Sequence, residues 1–431
     1  MRYLGLASST RCAAALGLLA IATVDAQAGG FALREQSAYW QGSAFAGAAA
    51  GGDLSSMFWN PATMTQMPGI QTEIGVSGVI PYAKNNPSAG STLFALGGTG
   101  DTADDALVPS GYLSWQINPN LWAGLSLNSP FGLSVTFPDL WAGRDYAANK
   151  TTLKSYNFAP SLAYKINNWI SVGAGVQIQY AKATLNRGYT LAGPTFGDST
   201  LDGNGWSYGF TAGVTLTPTP TTTIGLGYRS QLNQKIDGSL TLTGPLAPFS
   251  NPNVSTTLDL PDVVSLGLKQ KIGPQWTLLG TIEWTNWSRI GTATVNTSIL
   301  GTPVAIPFQY DDGWFFSLGA EYQWTPQLAV RGGVGYEKSP ITDAVRVPLL
   351  PDNDRIWLSL GATYDVTPQL SLDFAYSHLF VKNTPINVVP GNPSFDGVAY
   401  IGTVDAHVDI ISAALKYRWD APVTKTALIT K

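Results

Sequence analysis

From residue 70 to residue 419 the chain repeats one short pattern: about ten residues with an apolar side chain at every second position, then a turn. Residues 275–284, 314–322 and 355–364 are three instances. A period of two sends alternate side chains to opposite faces of a strand. One face here carries Trp, Leu, Ile, Phe and Tyr, and the other Glu, Arg, Ser, Thr and Gly. A soluble sandwich can show the same alternation. Aromatic residues at the strand ends, together with a secretory leader, favour a transmembrane β-barrel with lipid outside and a polar lumen.

The pattern predicts strands at 71–81, 107–117, 121–128, 151–166, 169–183, 206–217, 221–243, 254–272, 275–297, 311–323, 327–337, 355–366, 369–381 and 406–419. That is an even number, as single-chain bacterial outer-membrane barrels have. Short turns such as Asn167-Asn168, Gly273-Pro274, Thr325-Pro326 and Thr367-Pro368 alternate with long connections at 82–106, 129–150, 184–205, 298–310, 338–354 and 382–405. Short turns belong on the periplasmic side and long loops outside. The predicted fold is therefore all-β: a fourteen-stranded antiparallel transmembrane β-barrel over residues 70–419.

The segment before the barrel differs in kind. Residues 29–69 are rich in Ala, Gly and Ser, with scattered aromatics and no sustained alternation. They include Asn60-Pro61-Ala62, whose Asn-Pro pair halts a helix. Small residues let backbone pack closely, which suits a plug inside the barrel; a loosely ordered periplasmic arm is the alternative. Ahead of it, residues 1–28 read as a signal peptide. Arg2 and Arg11 supply the positive region, residues 12–22 the apolar core, and Ala26-Gln27-Ala28 a cleavage site that would make Gly29 the first mature residue. Val24-Asp25-Ala26 is a second possible site. Residues 420–431 form a C-terminal tail.

Charged residues make up only 12% and hydrophobic residues 44%, which argues against a disordered chain. After the leader there is no apolar run long enough for a spanning helix. A net charge of −4 argues against a nucleic-acid partner. The only cysteine is Cys12, inside the leader, so the mature chain has no disulfide framework and no thiol nucleophile. Only His378 and His407 are present, no His/Asp/Glu cluster has metal-ligand spacing, and no cofactor motif is seen. The chain reads as a non-enzyme without metal or cofactor. Ser377-His378 is the one pair a barrel hydrolase could use.

Arg229, Glu283, Glu321, Arg331, Arg355 and Asp373 fall on the lumen face. They read as a salt-bridge network closing the pore around a plug, or as a charged constriction for hydrophilic solutes. Residues 131–141 are unusually apolar for an external loop, and Phe131, Leu133, Phe137, Leu140 and Trp141 are candidates for a ligand-capture surface. Self-packing of that loop is the competing reading. Pro130 and Gly132 would interrupt the ladder of the third strand, which is one way to open a hole in a barrel wall.

Several motifs resemble the FadL family of transporters of long-chain fatty acids and hydrophobic compounds. They are Gly29-Gly30-Phe31, Asn60-Pro61-Ala62, Tyr228-Arg229-Ser230, Leu260-Pro261, the segment 284–288, Glu337-Lys338-Ser339-Pro340, and above all 350–357 with 382–387 after it. The resemblance covers the mature chain up to Trp419. It implies a barrel plugged by an N-terminal hatch, capture of ligand on external loops, an apolar pocket against the hatch, and lateral exit at a kinked third strand. It implies pocket roles for Phe31, Leu185 and Arg187, and gating roles for Asn60, Pro61, Ala62, Pro130 and Gly132. Thr294 stands where the family's fatty-acid transporter has a second pocket cation, which leaves room for neutral aromatic hydrocarbons. The expected partners are a long-chain fatty acid or other hydrophobic small molecule, with outer-membrane lipid and lipopolysaccharide around a monomeric barrel. A surface adhesin or receptor on a barrel scaffold is the competing reading from another class.

Overall fold

The computed structural model describes residues 30–191, 195–297 and 304–420. The signal peptide and nearly all of the C-terminal tail lie outside the described residues. Among those described, fourteen antiparallel strands close into one barrel. They are β1 (Ile70–Pro87), β2 (Ala106–Asn118), β3 (Leu121–Asn128, resuming as Gly132–Phe137), β4 (Asn149–Lys165), β5 (Ile170–Leu191), β6 (Thr195–Thr219) and β7 (Thr222–Arg229 and Leu232–Leu242). The second half comprises β8 (Asn251–Leu260 and Val263–Ile272), β9 (Trp276–Thr285 and Thr292–Thr297), β10 (Gly313–Gln323), β11 (Leu328–Lys338), β12 (Arg355–Asp365), β13 (Leu370–Val381) and β14 (Tyr400–Arg418). Each strand pairs with the next, and β1 meets β14 from Gln71↔Arg418 to Pro87↔Gly402. Two short strands, Val304–Pro307 and Thr384–Val388, pair with β9 and β14 in the outer loops.

The alternation seen in the sequence is the lipid face. Leu162, Leu318, Leu360 and Ile411 point outward and are exposed. Trp115, Trp169, Trp276 and Trp324 ring the end with the short turns, while Tyr156, Trp206, Tyr208 and Trp314 ring the other. Aromatic girdles of this kind belong at membrane interfaces.

Two expectations need correction. Residues 184–205 are not a loop: β5 and β6 run on as a ribbon paired as far as Leu191↔Thr195, and residues 199–204 of β6 pair in turn with residues 237–242 of β7. Outside the bilayer both faces of a ribbon meet water. Asn186, Arg187, Asp198, Thr200 and Asp202 are polar on either side, so the apolar alternation vanishes while the ladder continues. Similarly, residues 132–137, assigned to the loop at 129–150, are the outer half of β3.

Residues 30–69 fill the lumen as a compact hatch. It has one helical turn, Ala38–Gln41, whose start is capped by Ser37 accepting from the Trp40 N–H at 3.1 Å. Three 3-10 turns follow: Ala48–Ala50, Leu54–Phe58 and Pro61–Gln66. Its backbone lies directly on glycines of the wall. A Cβ on Gly267 would stand 2.6 Å from the Ala50 nitrogen, one on Gly361 2.7 Å from the Gly42 Cα, and one on Gly319 2.9 Å from the Ser43 oxygen. The wall glycines are seats for the hatch, since no other residue admits backbone so close.

Candidate functional site

The wall is interrupted at β3. The segment Leu121–Asn128 is bonded on both sides, to β2 and β4. The resumed segment pairs with β4 from Gly132↔Lys154 to Phe137↔Asn149, while its other edge is held only at its outer end, where Val135 bridges Ala103, Thr136 N donates to Thr102 O at 2.8 Å and Asp104 N donates to Ser134 O at 3.3 Å. Across from the break, residues 106–110 of β2 keep their ladder to β1 but have none to β3. Pro130 has no N–H to give. The hatch meets the break instead: the Leu33 N–H donates to Pro130 O at 2.8 Å, and the Gly132 N–H donates to Phe31 O at 3.0 Å. Gln36 donates to Ser129 O at 2.8 Å and accepts from Ser129 N at 3.3 Å. Further out, Asp104 accepts from the hydroxyls of Ser134 at 2.7 Å and Thr136 at 3.0 Å, with Lys150 at 3.2 Å. Partial burial opposes ionisation there, but bonds from Ser134, Lys150 and Thr136 outweigh it and hold the Asp104 carboxyl below its ordinary range.

Beside this break lies a cavity of about 80 Å³. Hatch residues Ala32, Leu33, Arg34, Phe58 and Trp59 form one side, Pro130 and Phe131 the kink, and Arg229, Leu232, Glu283, Trp287 and Lys338 the far wall. One water needs roughly 10–15 Å³ of such space. The cavity thus has room for a headgroup and a few carbons, not for an eighteen-carbon chain. Phe31 packs just behind it, with its ring centroid 4.8 Å from Trp287 and 6.1 Å from Phe131.

The residues expected to form the site divide. Phe31, Phe131, Leu133, Phe137 and Trp141 belong to one buried cluster. The apolar segment after the kink is therefore mostly self-packed: Phe137 stacks on Trp141 at 5.3 Å, the Trp141 indole donates to Ala147 O at 2.7 Å, and only Leu140 of the five candidates is exposed. Leu185 and Arg187 are not brought to Phe31. They lie on the outer ribbon, opposite Leu201 and Ser199, outside the cavity lining, and Arg187 is exposed. Thr294 is likewise exposed, on the outer part of β9.

Asn60 is wholly buried. Its Oδ1 accepts from Ala62 N at 3.0 Å, and its Nδ2 donates to Ala49 O at 2.8 Å and Val214 O at 3.0 Å. This pins the hatch to β6. Met64, in the turn that follows Asn60, and Met57 reach Gly124 of β3. The cap at Asn60 turns the chain so that Ala62 lies against Gly173 of β5.

The lumen charges form a network around the hatch. Arg331 binds Glu321 at 2.8 Å, and Tyr39 donates to the same carboxylate at 2.6 Å. Lys416 joins Asp53 of the hatch at 2.7 Å to Asp373 at 2.9 Å. Arg34 binds Glu283 at 2.6 Å and approaches Glu337 at 3.6 Å, where Arg355 also lies at 3.6 Å. Sequence reasoning missed the parts played by Arg34, Trp287 and Asp352. Asp352 accepts from Gly30 N at 3.0 Å and Ser339 Oγ at 2.5 Å, and pairs with Arg355. The distinctive run at 350–357 therefore ties the start of the hatch to an outer loop, a role that no spacing rule announces.

Ser377 and His378 point to opposite faces of β13. Ser377 is buried against Ser359 at 2.7 Å, while His378 meets Asp409 at 2.8 Å on the outer surface. They do not form a nucleophile–base pair.

A family model described as outer membrane protein transport protein (OMPP1/FadL/TodX) matches residues 19–419. The chain belongs to this family. It is a multi-pass outer-membrane transport protein. A long-chain fatty acid transport protein of Salmonella typhi is 26% identical over 89% of this chain and 94% of its own length. The crystal structure of a Pseudomonas aeruginosa FadL homologue superposes with a TM-score of 0.83 at 26% identity, covering 91% of this chain and all of that one. The P. putida toluene transporter TodX shares the fold, with a TM-score of 0.65 at 15% identity over 86% of this chain and 95% of that one.

Proposed function

We propose that the protein takes up hydrophobic molecules passively, long-chain fatty acids first, through the cavity against the hatch and out sideways at the β3 break. Lipopolysaccharide blocks apolar solutes, and a watery pore offers them no favourable path. The observation that carries the reading is the break itself. Residues 106–110 of β2 have no ladder to β3 there, and the hatch residues Ala32 and Leu33 that meet the break also line the cavity. A ligand that displaces Leu33 would open the wall where the bilayer begins. Moving a chain from water into lipid gains about 0.8 kcal/mol per methylene, whereas release into the periplasm gains nothing. The small cavity requires hatch movement for a long chain to enter. The relatives named for fatty acids and the shared fold with a toluene transporter support cargo of this class. The barrel acts as a monomer in contact with lipid and lipopolysaccharide, without catalysis.

Uptake of labelled oleate by cells with and without the protein tests transport against an adhesin role. Gly132→Arg tests the route. Even a Cβ at Gly132 would stand 2.8 Å from Leu33 Cδ1, so an arginine there fills the break. Transport should fall while the barrel stays folded. Normal uptake by that variant would favour an axial path opened by hatch movement.

A further inference from the structure

We propose that Arg229 is an anchor for an anionic headgroup, so that the cavity prefers a monocarboxylate amphiphile to a neutral molecule of equal chain length. The proposal rests on the uptake reading.

Three cations line the cavity: Arg34, Arg229 and Lys338. Arg34 is committed to Glu283 and Glu337. Lys338 is exposed at the outer end of β11, opposite the exposed Trp314. Arg229 differs from both. It is buried, yet among the described residues no carboxylate lies within ion-pair distance of it. Its partners are neutral: Phe58 O at 3.0 Å, Gln177 Oε1, and the Phe58 ring 4.2 Å beneath the guanidinium. Two of its five N–H groups make those bonds. Glu283, the carboxylate nearest in kind, is occupied on both oxygens, by Arg34 and by Ser265. A buried cation without a counter-charge is costly, and an incoming carboxylate supplies one with charge-assisted bonds.

The backbone leaves room for such a ligand. β7 breaks immediately after Arg229, and β8 resumes at Val263, its cross-strand partner. Leu232, Phe131, Leu33 and Trp59 supply apolar walls for the first carbons. Because Arg229 also holds Phe58 of the hatch, a bound headgroup would compete for the donor that fixes the hatch.

The test is binding of oleate and oleyl alcohol to the purified full-length protein in detergent, comparing wild type, Arg229→Gln and Arg229→Lys. Wild type should prefer oleate. Arg229→Gln should lose oleate affinity by about ten- to a hundredfold, the scale of a charged hydrogen bond, with oleyl alcohol nearly unchanged. Arg229→Lys should keep part of the preference. Equal losses for both ligands would mean that Arg229 only supports the hatch, and would overturn the proposal. If Arg229→Gln gives no heat-modifiable barrel, the wild-type comparison decides: equal affinities overturn the anchor. Binding of neither ligand, with no cellular uptake of either, would overturn the uptake reading itself.

Discussion

Asn60→Ala should detach the hatch from the wall while leaving the barrel folded. The side chain is wholly buried and makes three bonds of 3.0 Å or less: to Ala62 N, Ala49 O and Val214 O. Loss of the cap costs about 1 kcal/mol. The two carbonyls left without a donor cost about 1–3 kcal/mol each. The sum is about 3–7 kcal/mol against hatch docking, before any relaxation or water entry. The ladder at Asn60 does not depend on it, because β6 is joined to β5 and β7 by their own backbone bonds. At about 1.4 kcal/mol per tenfold change, hatch opening should become at least a hundredfold more frequent. Amide hydrogen exchange in detergent reads this directly. The N–H groups of Trp59 and Met67, bonded within the hatch to Ser56 O and Met64 O, should lose protection, while those of β10 to β12 should keep it. Wild-type protection at Trp59 and Met67 would refute the claim that Asn60 holds the hatch, and a uniform loss across the barrel would refute its confinement there.

Arg187→Ala should change oleate affinity by no more than about twofold, since an exposed charge on the outer ribbon contributes little; a tenfold loss in a binding titration would bring that ribbon into the site. Lys416→Met should leave Asp53 without a cation and Asp373 with only Arg331, at 3.9 Å, and lower stability by about 3–5 kcal/mol, seen as a clear drop in melting temperature in detergent, and an unchanged transition would show the Lys416 links to be dispensable.

The spanning halves of the strands were legible because lipid imposes a rule on every second residue. Trp276, Leu278 and Ile282 of β9 point outward, and Thr277, Thr281 and Glu283 inward, as the period of two requires. The extent of the barrel above the membrane was not legible, because Asn186, Arg187, Thr200 and Asp202 put polar side chains on both faces of the ribbon. The site was legible only where a residue signals by backbone chemistry. Pro130 and Gly132 announced a broken ladder, and Asn60-Pro61 a turn that halts a helix. Arg229 was visible as a lumen charge, but whether it had a partner depended on Gln177 and Phe58, 52 and 171 positions away in sequence. The resemblance gave Arg187 a pocket role from its place along β5, but the height of that place relative to the hatch is not written in the strand itself, and the structure sets Arg187 on the outer ribbon, outside the cavity lining.

The seam between β1 and β14 gives the molecule an order of assembly. A cylinder closed by its first and last strands stays an open trough until those two meet. The hatch, which precedes every strand in the chain, can settle into that trough from the side and never has to thread a finished ring. Lys416, on the closing strand, then reaches Asp53 of the hatch, while Asp420 accepts from Ile70 N at 2.5 Å across the same seam. The last turn of the wall is thus also the bolt on its cargo door, and a chain that closed without its hatch would leave Asp373 facing an empty lumen.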